Sequence, residues 1–110
     1  MSMNELGLQI YDWAKRKGWW PDEGRTFGDL CTLMHTEISE AYEDYRDGHE
    51  ITEIWYEKGD KPCGIPTELA DLIIRILDTC AHYGIDIDAV VAEKMAYNET
   101  RAFRHGGKRT

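Results

Sequence analysis

At 110 residues and a formal charge of −8, the chain has room for one domain with a limited core, and it lacks the Lys and Arg excess needed to wrap a nucleic-acid polymer. Hydrophobic residues at 42% and charged residues at 31% give the balance of a folding chain and exclude the signature of a disordered one. No stretch approaches the roughly 18 to 20 apolar residues of a membrane span, since even Leu69 to Ala81 is interrupted by Asp71, Arg75 and Asp78.

The expectation is therefore a single domain over residues 1–110 with no membrane partner. Met1 to Trp20 holds no apolar block of the kind a signal peptide needs. Cys31, Cys63 and Cys80 form no Cys-x-x-Cys motif and cannot all pair within one chain, so they read as small packing residues of a cytoplasmic protein.

Leu6, Ile10, Trp13 and Ala14 recur at helical spacing and predict a first helix from about Asn4 to Lys17, with Trp13 in the core. Gly18 and Pro21 break it, leaving Trp19 and Trp20 in a loop. Thr26, with Asp29 three residues later, predicts an N-cap close to a capping box and a second helix to about Asp47. The segment between Gly48 and Gly64 is mixed: Ile51, Ile54, Trp55 and Tyr56 precede a turn-like Lys58 to Lys61, and short helix, hairpin and loop all stay open. A connection this long between helices is often functional. Pro66 suits the first turn of a third helix ending at Gly84. Asp86 and Asp88 open a fourth, reaching about Phe103, and the basic tail 104–110 reads as mobile.

The informative residues are those that contradict their place on the helical wheel. At about 100° per residue, Leu30, Leu33, Met34, Ile38, Ala41 and Tyr45 make the apolar stripe of the second helix, yet Glu37 and Asp44 fall inside it and Glu40 at its edge. Ionised carboxylates aimed at a core cost several kcal/mol each unless paired or metal-bound. The third helix is apolar around most of its circumference, leaving one strip of Glu68, Asp71, Arg75, Asp78, Thr79 and His82, which faces either an internal cleft or solvent. On the fourth, Lys94, Asn98 and Arg101 share a line with Ile87, Val90 and Val91, where snorkelling of the long stems is the structural alternative. Met34 and Met95 read as core filling.

Two acidic pairs spaced three apart on facing helices gather four carboxylates, Glu37, Glu40, Glu68 and Asp71, around one point. An all-oxygen cluster suits Mg²⁺, with Mn²⁺ as substitute, better than zinc. No Glu-x-x-His di-iron motif, His-Glu-x-x-His motif or Gly-rich phosphate loop is present, and His35 falls on the face of its helix away from the carboxylates.

Thr-Glu-Ile-Ser-Glu-Ala at 36 to 41, followed by Glu-Leu-Ala-Asp at 68 to 71, resembles the Glu-x-x-Glu then Glu-x-x-Asp signature of the MazG-like, all-alpha nucleoside triphosphate pyrophosphohydrolases. Lys94, Asn98 and Arg101 look like that family's last-helix pattern, and the resemblance spans roughly residues 27–105. Ser39 stands where relatives often carry Gly, and the 48–64 connection is individual, which leaves base preference open.

The resemblance implies an all-α, four-helix bundle. It also implies Mg²⁺ held by Glu37, Glu40, Glu68 and Asp71, with water attacking the α-phosphorus of a (deoxy)nucleoside triphosphate and pyrophosphate leaving, a reaction suited to nucleotide-pool house-cleaning. On that basis Glu37 and Glu40 are the catalytic candidates, with Glu40 preferred as proton acceptor, and Lys94, Asn98 and Arg101 bind phosphate or sugar. Trp19, Trp20 and Trp55 are candidates to stack on a base, core packing being the alternative for each. The third helix has more apolar circumference than one small bundle covers, which predicts a homodimer or homotetramer. The competing reading is a non-enzymatic helical homo-oligomer whose carboxylates form salt bridges with Arg75, Lys94 and Arg101.

Overall fold

Helices begin where a side chain can take up the free N–H groups of a first turn. In α1 (Met3–Arg16) the Ser2 hydroxyl accepts from the Glu5 N–H while the Glu5 carboxylate accepts from the Ser2 N–H. The same reciprocal box, built from Thr26 and Asp29 as expected, opens α2 (Phe27–Arg46). Pro66 sits in the first turn of α3 (Ile65–Tyr83), which stops at Gly84 in the left-handed region at φ 69°. Asp86 caps α4 (Ile87–Glu99) by accepting from the Ala89 N–H. The computed structural model describes residues 1–21 and 24–101, so the expected helix end at Phe103 and the tail 104–110 lie outside the described residues.

The segment left open by the sequence is a loop over 48–54 followed by a hairpin. Strands β1 (Trp55–Glu57) and β2 (Lys61–Cys63) pair antiparallel, with Trp55 opposite Cys63 and Glu57 opposite Lys61. Gly59 and Asp60 supply the positive φ values of 81° and 60° that turn the chain between them. Gly64, at φ 125°, then brings the start of α3 against the Glu53 carbonyl so closely that a Cβ there would collide with it.

Among the described residues the chain is mostly helical, and α3 is its centre, packed on one side by α1 and on the other by α2. Gly7 allows the α1 crossing, because a Cβ at that position would stand 3.0 Å from the Leu77 carbonyl oxygen. Ala14, fully buried, continues the same close seam. Leu30, Ala41, Cys63, Ile65, Leu77 and Cys80 complete a core of modest side chains. The main neighbour of α4 is α1, joined at the helix starts: the Met3 and Asn4 N–H groups donate to Asp88, the Asn4 amide donates to Asp86, and the Ile87 N–H donates to Asn4 Oδ1.

Two core expectations are overturned. Trp13 is 38% exposed, lying edge-on to Trp19 at 4.7 Å instead of under another helix. Met95 is 64% exposed, because α4 is tied down at its first turn and its remaining length meets little of the chain. Cys63 and Cys80 are buried as expected, while Cys31 and Met34 are half-buried. No helix is long and apolar enough to cross a membrane.

The polar strip of α3 turns inward at its middle, with Asp78 and Thr79 buried, while apolar Leu69 and Ile73 face out. On α2, Ile38, Tyr42 and Tyr45 are exposed as well.

Candidate functional site

Packing of α2 on α3 brings the anomalous carboxylates together. Glu37, on the stripe that also buries Leu30 and Ala41, is only 6% exposed; Glu40, one turn later, is open to solvent. Glu68 lies in the first turn of α3, with Asp71 one turn on. Glu37, Glu40 and Glu68 each present an oxygen within 4.8 Å of the other two. Asp71 stands beside this group and shares with Glu37 the wall of a cavity of about 260 Å³, completed by Trp19, Ile74 and Arg75.

The electrostatics follow from that crowding. Glu68 Oε2 is buried without a hydrogen-bond partner. Burial first, and then the adjacent Glu40 and Glu37 carboxylates, push the Glu68 carboxyl from 4.5 up to about 8. Asp71 is raised by burial and by Glu37, partly offset by Arg75, and Lys61 on β2 also acts to lower it. Asp78, further along α3, is raised by burial and held back by its hydrogen bond from Trp20.

One strong ion pair crosses the helices: Arg75 Nε donates to Glu37 Oε1 at 2.8 Å. Arg75 was placed by the sequence on the polar strip, one turn beyond Asp71, but nothing there fixed which carboxylate it would meet. Lys61 was missed, since its approach to Asp71 depends on a hairpin that the sequence left undecided.

The tryptophans part company. Trp19 borders the acidic cavity. Trp20 is committed elsewhere: its Nε1–H donates to both Asp78 oxygens at 3.1 Å and its ring stacks on His82 at 4.0 Å, with His82 Nδ1 in turn hydrogen-bonded to the Tyr11 hydroxyl. Trp55 stacks on His49 at 3.9 Å and donates to Glu57. Each therefore has one ring face taken by a histidine.

Lys94, Asn98 and Arg101 are exposed and are not brought beside the carboxylates within one chain. Lys94 and Arg101 instead lie over the Tyr97 ring, at 5.0 and 5.9 Å from its centre. Neither forms an ion pair among the described residues.

Chemically, the α2–α3 cluster offers hard oxygen donors from rigid helices, one of them uncompensated, with a cavity alongside. Glu37, Glu40 and Glu68 are so placed that they could hold a metal ion. Comparison of the chain with protein-family models, with curated proteins and with solved structures finds no match.

Proposed function

We propose that the chain is a Mg²⁺-dependent nucleoside triphosphate pyrophosphohydrolase of the MazG-like, all-alpha type, releasing a nucleoside monophosphate and pyrophosphate and working as a homodimer or homotetramer. The observation that carries the reading is the convergence of Glu37, Glu40 and Glu68 oxygens within 4.8 Å, on a Glu68 whose Oε2 is buried with no hydrogen-bond partner.

These residues fit a divalent cation. Burial, and then the neighbouring Glu40 and Glu37 carboxylates, raise the Glu68 carboxyl to about 8, a penalty that a bound cation would relieve. Glu37, Glu40 and Glu68 would hold the ion, with Asp71 at its side. When bound, Mg²⁺ supplies charge neutralisation for the triphosphate and polarises the oxygens around the scissile bond.

The chain's own residues do the rest. Glu40, the most open of the three, takes the proton of the attacking water on a carboxylate oxygen. Glu37, held by Arg75, stays oriented toward the cluster. Trp19 supplies an apolar wall to the cavity. Lys94, Asn98 and Arg101 act on phosphate only in an assembly that brings α4 of another copy over the carboxylates. The exposed apolar side chains of α2 and α3 are the surface such an assembly would cover.

The Arg75–Glu37 pair favours a second reading, a non-enzymatic helical oligomer held by interhelical salt bridges. One experiment separates the two: pyrophosphate release from the canonical and some damaged nucleoside triphosphates, with and without Mg²⁺. The enzyme reading predicts Mg²⁺-dependent release that falls by about 100-fold or more in Glu40→Ala and in Asp71→Ala, with helical circular dichroism intact. Near-normal turnover in either variant, or none in the wild type with any triphosphate, contradicts it.

A further inference from the structure

A cluster of carboxylates repels a triphosphate as strongly as it attracts a metal, so a reaction centre of this kind needs cations of its own beside the acids. Lys94 and Arg101 do not provide them within one chain, because among the described residues α4 packs chiefly on α1. Arg75 does: it lies one helical turn beyond Asp71, contacts Glu37, and lines the same cavity as both.

The form of that contact matters. Arg75 meets Glu37 through Nε alone, at 2.8 Å, and among the described residues its two Nη groups make no hydrogen bond. Its side chain keeps 27% of its surface open while Glu37 keeps 7%, so the carboxylate is the buried end of the pair and the guanidinium the open one. A guanidinium is a planar fork of five N–H donors, able to hold one anion through Nε and a second through Nη, which an ammonium on a flexible stem does not do with fixed geometry. The cavity of about 260 Å³ beside it is walled by Trp19 and Ile74 as well as by the charged groups, so an anion there would meet Arg75 next to apolar surface.

We infer that Arg75 is a substrate-binding residue, its Nη groups receiving a phosphate oxygen of the triphosphate while its Nε holds Glu37 in position. This rests on the pyrophosphohydrolase reading and adds to it a phosphate ligand from α3 that the sequence had placed only among the salt-bridge partners. The pair is then a shared anchor: the same guanidinium fixes a carboxylate of the cluster and reads the charge of the ligand.

The test is binding of inorganic tripolyphosphate to the full chain in Mg²⁺ by titration calorimetry, comparing wild type with Arg75→Lys and Arg75→Gln. Mn²⁺ affinity without phosphate is measured alongside. Both variants are expected to weaken tripolyphosphate binding by about ten-fold or more and to raise KM for the triphosphate, a loss larger than any change in Mn²⁺ affinity that follows from loosening Glu37. Arg75→Lys keeps the charge and so decides the matter if Arg75→Gln loses helical circular dichroism. Tripolyphosphate binding as tight as wild type in Arg75→Lys, in an enzyme that still turns over triphosphates, overturns the role of Arg75 and leaves the pyrophosphohydrolase standing. A wild type that neither binds tripolyphosphate nor releases pyrophosphate overturns both.

Discussion

Glu68 is the side chain most at odds with its surroundings, with one oxygen buried and unpartnered and its carboxyl held at about 8. A carboxyl whose pKa is raised by folding binds its proton more tightly in the folded chain than in the unfolded one, so it favours the fold at low pH and ceases to do so as the pH climbs. In EDTA, the melting temperature is therefore expected to fall between about pH 4.5 and about pH 8, with Asp71 and Asp78, also raised, adding in the same direction at the acid end. Thermal melts across that range check this, and Glu68→Gln is expected to flatten the upper part of the curve. An unchanged slope in that variant would place the strain elsewhere. At this scale the sequence was informative where position on a helix decides burial: Glu37 falls between Met34 and Ala41 on the stripe and is buried accordingly. It was silent on Trp20, whose commitment to Asp78 joins residues 58 apart in the chain.

Among the elements, the legible features are local ones. The Thr26–Asp29 box, Pro66 in a first turn, Gly84 at a helix end and Asp86 as a cap each depend on a few neighbouring residues, and each is found where the sequence put it. The hairpin was not legible because its strands are only three residues each and its flanks meet through a close approach, Gly64 against the Glu53 carbonyl, that no local pattern announces. Trp13 and Met95 were misjudged for a related reason: apolar spacing identifies the face a helix hides but not whether a neighbour arrives to hide it. Gly64→Ala forces a side chain into a left-handed backbone and onto that carbonyl. It is expected to cost about 2 kcal/mol or more, read by denaturant titration, and to detach β1–β2 and with it Lys61 from Asp71. Wild-type stability in this variant would show that the hairpin does not depend on the close approach.

For the whole molecule, a small apolar core coexists with an exposed apolar surface: part of the polar strip of α3, Asp78 and Thr79, is buried, while Leu69, Ile73 and the α2 residues Ile38, Tyr42 and Tyr45 are turned out. That surface carries the proposed oligomer. Ile73 is 54% exposed, so Ile73→Glu costs a single chain little yet puts a charge into the contact between copies. Sedimentation of this variant is expected to give monomers with native helical content, against a dimer or tetramer for the wild type; co-sedimentation of the two would move the interface to another face. The most direct test is Mg²⁺ titration of the metal-free protein by calorimetry at pH 7 in two buffers of different ionisation enthalpy. Saturable binding at the α2–α3 cluster is expected, with proton release, because a Glu68 carboxyl raised to about 8 must give up its proton to bind the ion, and both effects should weaken in Glu68→Gln. Absence of saturable Mg²⁺ binding in the wild type, or binding unchanged by that substitution, would contradict the Mg²⁺-dependent reading.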